Sequence, residues 1–482
     1  MSRPVGHVVV VGAGITGLTV AHRLAQVLPD TAVTVLEADD RVGGKIRTTP
    51  IAGILVDEAA DAFLARVPEG LALVRELGLE DQLVTPAERR AFVYRHGALH
   101  RFPEGLTLGV PTDLDALRSS GLISAAGLDR AAQDLTAPAD GPAGDETVGA
   151  LVRRRVGDEI FDAFVGPLLS GVNAGDADEL SVAAGAPQFA AAVRDQPSLI
   201  RGLQAQRAAA AAADPDAPIF YGLRGGTQSL VDAIAARLPA GSVRTGCPAT
   251  SIARVPTGGF VVATTPAAGG AAGRIDADAV VLATPTFVAA DLIEPVLPDL
   301  APELRSLAWS SVVLATFAVP RAAIDHALDG SGFLVSEGEG LLMTACSFGS
   351  SKWAHWAHWA DASDRSDRSD ELVVLRVSAG RHHDRRAWEL GDDDLRTALL
   401  DELRTTIGLH GAPAATRLSR WARALPQYRP GHLERARAWK QQAASEVPGL
   451  FLAGAGYFGL GLPACIRDAN DTARNVADLQ IR

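Results

Sequence analysis

Within its first 36 residues the chain runs through a short apolar stretch, His7 to Val11 (HVVVV), the glycine-rich Gly12-Ala13-Gly14-Ile15-Thr16-Gly17, and a second apolar stretch, Ala32 to Leu36. No other part of the sequence limits the fold so strongly. An apolar run without polar alternation reads as a strand covered on both faces, as in a parallel sheet. The spacing predicts a helix over Gly17 to Leu28, and strand, helix and strand together make a βαβ unit. In GxGxxG the first glycine permits the tight turn, and the second lets the backbone approach a pyrophosphate. The third lets helix and strand pack closely. The helix N-terminus adds free amides and the positive end of a dipole. Glu37 follows the second strand 20 residues after Gly17, where a carboxylate can accept both hydroxyls of a ribose. Gly12, Ala13, Gly14, Ile15, Thr16, Gly17 and Glu37 are therefore the expected dinucleotide contacts.

Composition narrows the class of partner. The chain of 482 residues is 47% hydrophobic and 21% charged, which suits two or three packed units with large cores. A net charge of −12 argues against nucleic acid, since phosphate binding needs clustered cations. Lys45, Lys352 and Lys440 are the only lysines. Cys247, Cys346 and Cys465 stand far apart, in no metal-ligand spacing, and are expected to be free thiols in a reducing cytosol. No metal site is expected. A strand begins within seven residues of Met1, which leaves no room for a signal peptide, and no apolar stretch approaches the ~20 residues of a membrane span. The expected location is the cytoplasm, with no transmembrane segment.

Further along, Leu71 to Leu77 predicts helix, and Ala91 to Tyr94 with Ala98 to Phe102 predicts a hairpin. Asp113 to Gln206 is mostly helical in pattern, with breaks at Pro138–Gly144 and Asp176–Glu179, and the alanine run 208–213 is read as helix on propensity. Strand signals return at Val243 to Arg254, Phe260 to Thr265 and Ala279 to Ala283. A second sheet is expected from Val312 to Val319, Phe333 to Ser336 and Leu372 to Val377. Trp353 to Asp370 holds tandem WAH and SDR triplets, whose polar half is read as an expanded surface loop.

Glu37-Ala38-Asp39-Asp40-Arg41-Val42-Gly43-Gly44-Lys45-Ile46-Arg47-Thr48 closely resembles the extended signature of the amine oxidase and protoporphyrinogen oxidase superfamily of flavoproteins. The resemblance implies non-covalent FAD, with Arg41, Gly44 and Lys45 near the pyrophosphate, Ala38 among the cofactor contacts, and Ala59, Ala60, Asp61 and Ala62 along the flavin. Near the C-terminus, Gly454 to Gly459 also spells GxGxxG. It is not expected to form a second nucleotide unit, because the sequence stops 23 residues later without another strand and acid. In the superfamily this segment sets its amides and a helix N-terminus against the flavin ring, which assigns Ala455, Leu460, Gly461 and Leu462 to the cofactor. Ala249 falls where a backbone contacts the adenine. Cys465 is read as a small buried hydrophobe rather than a covalent flavin link.

Four further stretches are similar to bacterial protoporphyrinogen and coproporphyrinogen oxidases. They are Pro167 to Asp176 with Glu179-Leu180-Ser181, Gly222 to Leu230, Ala424 to His432 (ALPQYRPGH), and Leu462 to Ile466. The implied fold is α/β and α+β, a Rossmann-type FAD-binding domain with a mixed-sheet substrate domain and a helical subdomain. The FAD domain would comprise residues 1–90, 222–300 and 425–482, the helical part 91–221 and the substrate sheet 301–424. Gly175, Leu334 and Trp353 would border a porphyrinogen. At the position of the family's propionate-binding arginine the register gives Ala91, so Arg90, Arg95 or Arg101 would have to substitute. His100 and His432 are read as structural or surface residues, not catalytic ones. No side chain is assigned acid–base catalysis.

The implied reaction removes six electrons and six protons from a porphyrinogen in three flavin cycles, with dioxygen as acceptor. The Arg-rich, Lys-poor composition suits a GC-rich Gram-positive genome, and such relatives use coproporphyrinogen III, which is favoured over protoporphyrinogen IX. Transient contact with the next enzyme of heme synthesis is also implied. The nearest rival is an amine oxidase. Those enzymes place a lysine in the segment matching Ser310 to Val319, and none is present here.

Overall fold

A computed structural model describes residues 5–138, 144–214, 217–256, 258–265, 273–357 and 371–479. At its centre His7–Val11 pairs in parallel with Ala32–Leu36 on one side and Ala279–Leu282 on the other. Val243–Arg244 and Leu450–Leu452 extend the sheet at its two edges, also in parallel. Strand periodicity divides the valine run between two cores. Val8 and Val10 join the helices Ile15–Val27 and Leu462–Ala477 on one face. Val9 and Val11 join the helices Thr286–Ile293, Leu300–Ser306 and His432–Glu446 on the other. The chain visits this sheet three times, early, near the middle and at its end.

The strand expected over Val243 to Arg254 is broken in two. Between the pieces, the amides of Gly246 and Cys247 donate to the carbonyls of Asp39 and Glu37, so the chain leaves the sheet beside the acid. Ala249–Arg254, Phe260–Thr264 and Gly273–Ala277 then form a small antiparallel sheet.

The second large sheet is mixed and has seven strands. Their order is Ala415–Pro426, Trp309–Pro320, Leu372–Ala379, Met343–Phe348, Gly332–Val335, Phe92–Arg95 and Ala98–Arg101. Only Gly332–Val335 and Phe92–Arg95 pair in parallel. The expected hairpin is present, turning at His96 and Gly97, both with positive φ. The described residues between 114 and 213 are helical apart from short connections, and the alanine run continues the helix Leu199–Ala213. Within this part the chain passes through a π turn at Phe161–Val165 into the helix Gly166–Asn173. Part of the Pro138–Gly144 break and the repeat tract from residue 358 lie outside the described residues.

Among the strands that escape the sequence reading, four border the site. The hairpin Thr48–Ile51/Ile54–Asp57 turns on Ala52 and Gly53, an αL pair without the usual Asn-Gly signal. Met343–Phe348 (MTACSF) mixes small and polar residues and shows no apolar run. Ala415–Pro426 carries Arg417, Ser419 and Trp421, polar-tipped residues that hydrogen-bond the Thr48–Glu58 region and obscure the alternation.

Candidate cofactor and substrate site

Both uncapped helices begin at the carboxyl edge of the parallel sheet, where ligands of such sheets bind. Gly14 and Gly461 occupy their N-cap positions, and neither helix has a side-chain cap. The glycines divide into two kinds. A Cβ on Gly17 would lie 1.9 Å from the Gly12 carbonyl oxygen, and one on Gly12 (φ +102°) would lie 2.7 Å from that of Ala283. Those two hold strand, turn and helix together. A Cβ on Gly14 would meet nothing within 4 Å, and its φ of −73° suits any residue. Gly14 therefore faces open space, as a pyrophosphate cradle requires. Gly43 donates to the Ala13 carbonyl at 2.8 Å, bringing Gly44 alongside Gly14.

The basic residues of this loop have separate tasks. Arg41 donates to the carbonyls of Val42, Gly44 and Ile46 and so shapes the loop from within. Lys45 is reachable by solvent yet surrounded by protein, with Nζ 5.3 Å from the Trp309 ring centroid. Burial lowers its pKa against the opposing influence of Cys465. An anion bound beside it would raise that pKa again.

Glu37 is nearly buried and accepts from the amides of Ala13 at 2.7 Å and Asp39 at 3.0 Å. Each carboxylate oxygen retains acceptor capacity for a hydroxyl. Ala38 is exposed beside it, and the segment leading to Ala249 abuts Glu37 and Asp39. An acid with spare lone pairs, an open glycine and two uncapped helix ends fit a dinucleotide.

Ala59 to Ala62 is anchored by Asp61, whose carboxylate accepts from Lys352 Nζ at 3.0 Å and Trp353 Nε1 at 2.9 Å, with Arg376 Nη1 at 3.1 Å. Burial alone would raise the Asp61 pKa, but Lys352 and Arg376 hold it far below the usual range. Arg376 also donates to the Ala59 carbonyl. The segment expected along the flavin is thus tied to the substrate sheet by a buried ion cluster. Trp353, expected on the macrocycle wall, is instead fully enclosed, pinned to Asp61 and stacked under Gly222. A buried indole N–H needs an acceptor, and Asp61 supplies it.

At the C-terminal segment, Gly454 (φ +116°) donates to Asp468 Oδ2 at 2.8 Å, and Lys440 pairs with Oδ1 of the same acid. Ala455 accepts from the Tyr428 hydroxyl and Tyr457 from His432 Nε2. Leu460, Gly461 and Leu462 lead into the open N-terminus of the last helix. Cys465 lies behind them, its thiol pushed up to about 11 by burial, so it stays protonated and unreactive at neutral pH. His432 is fully buried, as a structural histidine would be. Sequence reasoning missed Asp468, Lys352 and Arg376, which carry no motif and act only through tertiary contacts.

On the substrate side, Gly171 meets Leu334 where the helix Gly166–Asn173 crosses the strand Gly332–Val335. Val172, 57% exposed, lies next to that contact. Gly175 is buried against Gln427, whose amide donates to the Asn173 carbonyl at 3.1 Å. Arg90 and Arg101 are paired with Glu88 and Asp329, and Arg95 Nε donates to His96. A propionate reaching Arg90 or Arg101 would have to displace a carboxylate. Among the described residues, the cluster with metal-ligand chemistry is Glu179, His382 and His383, and Arg429 already occupies Glu179 at 2.7 Å.

The model of the flavin containing amine oxidoreductase family matches residues 15–477. The chain belongs to that family. It is 32% identical over 467 residues to a coproporphyrinogen III oxidase of Bacillus subtilis, covering 95% of each chain. It is 34% identical over 475 residues to one of Mycobacterium tuberculosis, covering 97% of each. A crystal structure assigned as a protoporphyrinogen oxidase from Exiguobacterium superposes with a TM-score of 0.84 at 30% identity, covering 98% of each chain. The protein is an FAD-dependent oxidoreductase with the architecture read from its sequence, a Rossmann-type sheet joined to a mixed sheet and helices.

Proposed function

We propose that this enzyme oxidises coproporphyrinogen III to coproporphyrin III in heme synthesis, reducing three dioxygen to three hydrogen peroxide as six electrons and six protons leave the macrocycle. The carrying observation is the likeness, along almost the whole chain, to relatives named for that reaction. Bound FAD supplies the hydride acceptor and the reaction with dioxygen. The chain's own part is positioning. Gly14, Glu37 and the uncapped helix ends hold the dinucleotide, while Val172 and Leu334 present apolar surface beside the Gly171 crossing. No lysine stands in the strand Trp309–Pro320, which disfavours amine oxidation. No side chain is assigned as acid or base, and orientation of the ring over the flavin is the main device. We place the reaction in the cytoplasm, with the product handed on by transient contact. Among the described residues no helix is long and apolar enough to cross a membrane.

The second reading is protoporphyrinogen IX, which the assignment of the Exiguobacterium structure favours. Porphyrin fluorescence under anaerobic loading and aerobic turnover gives kcat/KM for both substrates. Coproporphyrinogen III is expected to be preferred by about a hundredfold, the value of losing two charge-assisted propionate contacts. Equal values, or preference for protoporphyrinogen IX, would overturn this reading.

A further inference from the structure

His382 and His383 follow the strand Leu372–Ala379 and take no part in the dinucleotide site. They are the central pair of a tight turn, in which the Asp384 amide donates to the Arg381 carbonyl at 3.2 Å and the Arg381 amide to that of Asp384 at 3.3 Å. In a strand, neighbouring side chains would point to opposite faces. This turn instead aims both rings at one carboxylate. His383 Nε2 lies 3.0 Å from Glu179 Oε1, and His382 Nε2 lies 3.9 Å from Oε2, with ring centroids 4.4 Å apart. One ligand atom from each of the three falls within 4.8 Å of the others.

Both sides of the cluster are preorganised. Arg381 pairs with Glu337 at 3.3 Å, and Asp384 accepts from Arg386, which also donates to the carbonyls of Gly340 and Leu341. The Glu179 amide closes its own turn on the Asp176 carbonyl at 2.9 Å. Both Arg429 contacts with Glu179, at 2.7 and 3.2 Å, fall on Oε2 and leave Oε1 to His383. Burial, with His383 beside it, holds the His382 pKa below its usual 6.5, and Asp176 and Arg429 face the same ring. Burial alone would raise the Glu179 pKa, but Arg429 and His383 keep it lowered and the carboxylate charged. Two imidazoles and a carboxylate are a known zinc ligand set, with the fourth position open to water.

We propose that Glu179, His382 and His383 bind a divalent transition-metal ion of the zinc type, which clasps the helical part of the chain to the turn after the strand Leu372–Ala379. Neither flavin nor porphyrinogen is needed to form this site. A tetrahedral zinc ion spaces its ligand atoms about 3.3 Å apart. The His383–Glu179 pair is already near that spacing, and the remaining distances close by side-chain rotation. Arg429, 53% exposed, can withdraw into solvent as the ion's charge arrives.

The test titrates Zn2+ alone into the FAD-loaded full chain by calorimetry at about pH 7.5, above the ordinary imidazole pKa. Melting temperatures are read with and without the ion. Wild type should bind one Zn2+ per chain and melt higher in its presence. His382→Ala, His383→Ala and Glu179→Gln should each weaken binding tenfold or more, since losing even a group behind a ligand costs roughly 10- to 100-fold. At about pH 5.5 the wild type should bind far more weakly, because protons compete for both imidazoles. The His383 side chain is 58% exposed, so His383→Ala leaves the fold intact and decides the matter if another variant does not fold. A wild type that takes up no Zn2+, or unchanged affinity in His383→Ala, would overturn the site and leave the cluster an ion pair with Arg429.

Discussion

Substituting Gly14 by valine tests the nucleotide site without disturbing the protein that forms it. The backbone there is extended, and a Cβ would meet nothing within 4 Å, so the apo chain accommodates the change without strain. Loss of glycine's freedom in the unfolded state should even add about 0.4–1 kcal/mol of stability. The branched side chain stands where the pyrophosphate must approach. Displacing that group breaks at least two charge-assisted amide contacts, about 1.5–3 kcal/mol each, which weakens FAD roughly 150-fold or more. At free FAD about 100-fold above the wild-type Kd, binding stabilises the native state by about 2.7 kcal/mol, and the variant would keep about 0.3 kcal/mol. Gly17→Val is the contrast, because its Cβ would strike a backbone oxygen at 1.9 Å and cost about 3 kcal/mol or more even without FAD. Thermal melts with and without FAD, together with flavin absorbance after desalting, read both quantities. A Gly14→Val protein with full flavin content and a wild-type melting rise on adding FAD would refute the cradle.

Glu37→Ala should raise the FAD Kd roughly 5- to 150-fold in a fluorescence titration. It should also lower apo stability, since the Ala13 and Asp39 amides lose their acceptor. Asp61→Asn leaves Lys352 and Arg376 facing each other without their shared anion. Urea unfolding should show a loss of about 3 kcal/mol, and wild-type stability would mean the cluster is solvated after all. His432 has its pKa lowered from 6.5 to about 4, mainly by burial. A depressed histidine pKa means the unfolded chain binds the extra proton first, so stability is complete above about pH 6.5 and falls as pH drops toward 4. The gap corresponds to roughly 3 kcal/mol. His432→Gln should flatten that part of the stability–pH curve, and an identical slope in the variant would assign the titration elsewhere.

The nucleotide half of this enzyme was legible from the sequence because its constraints are local. The positive φ at Gly12, the Gly17 Cβ excluded by the Gly12 carbonyl, and an acid at the next strand end are all set by neighbours within 40 residues, although Ala283 also presses on Gly12. Periodicity likewise showed the helical stretch and most of the second sheet. The strand Ala415–Pro426 was hidden because its polar residues serve another part of the chain, Arg417 and Trp421 reaching the Thr48–Glu58 region. Trp353 looked like a pocket wall in one dimension, and only the folded chain placed Asp61 against its indole nitrogen. The same holds for the loop Gly454–Gly459. Its glycines announced a turn, but the direction of its amides is set by Tyr428, His432 and Asp468, which belong to two different helices and a strand end. Local sterics are written in adjacent residues. The orientation of a peptide plane depends on which distant side chain captures its carbonyl, and only the tertiary structure decides that.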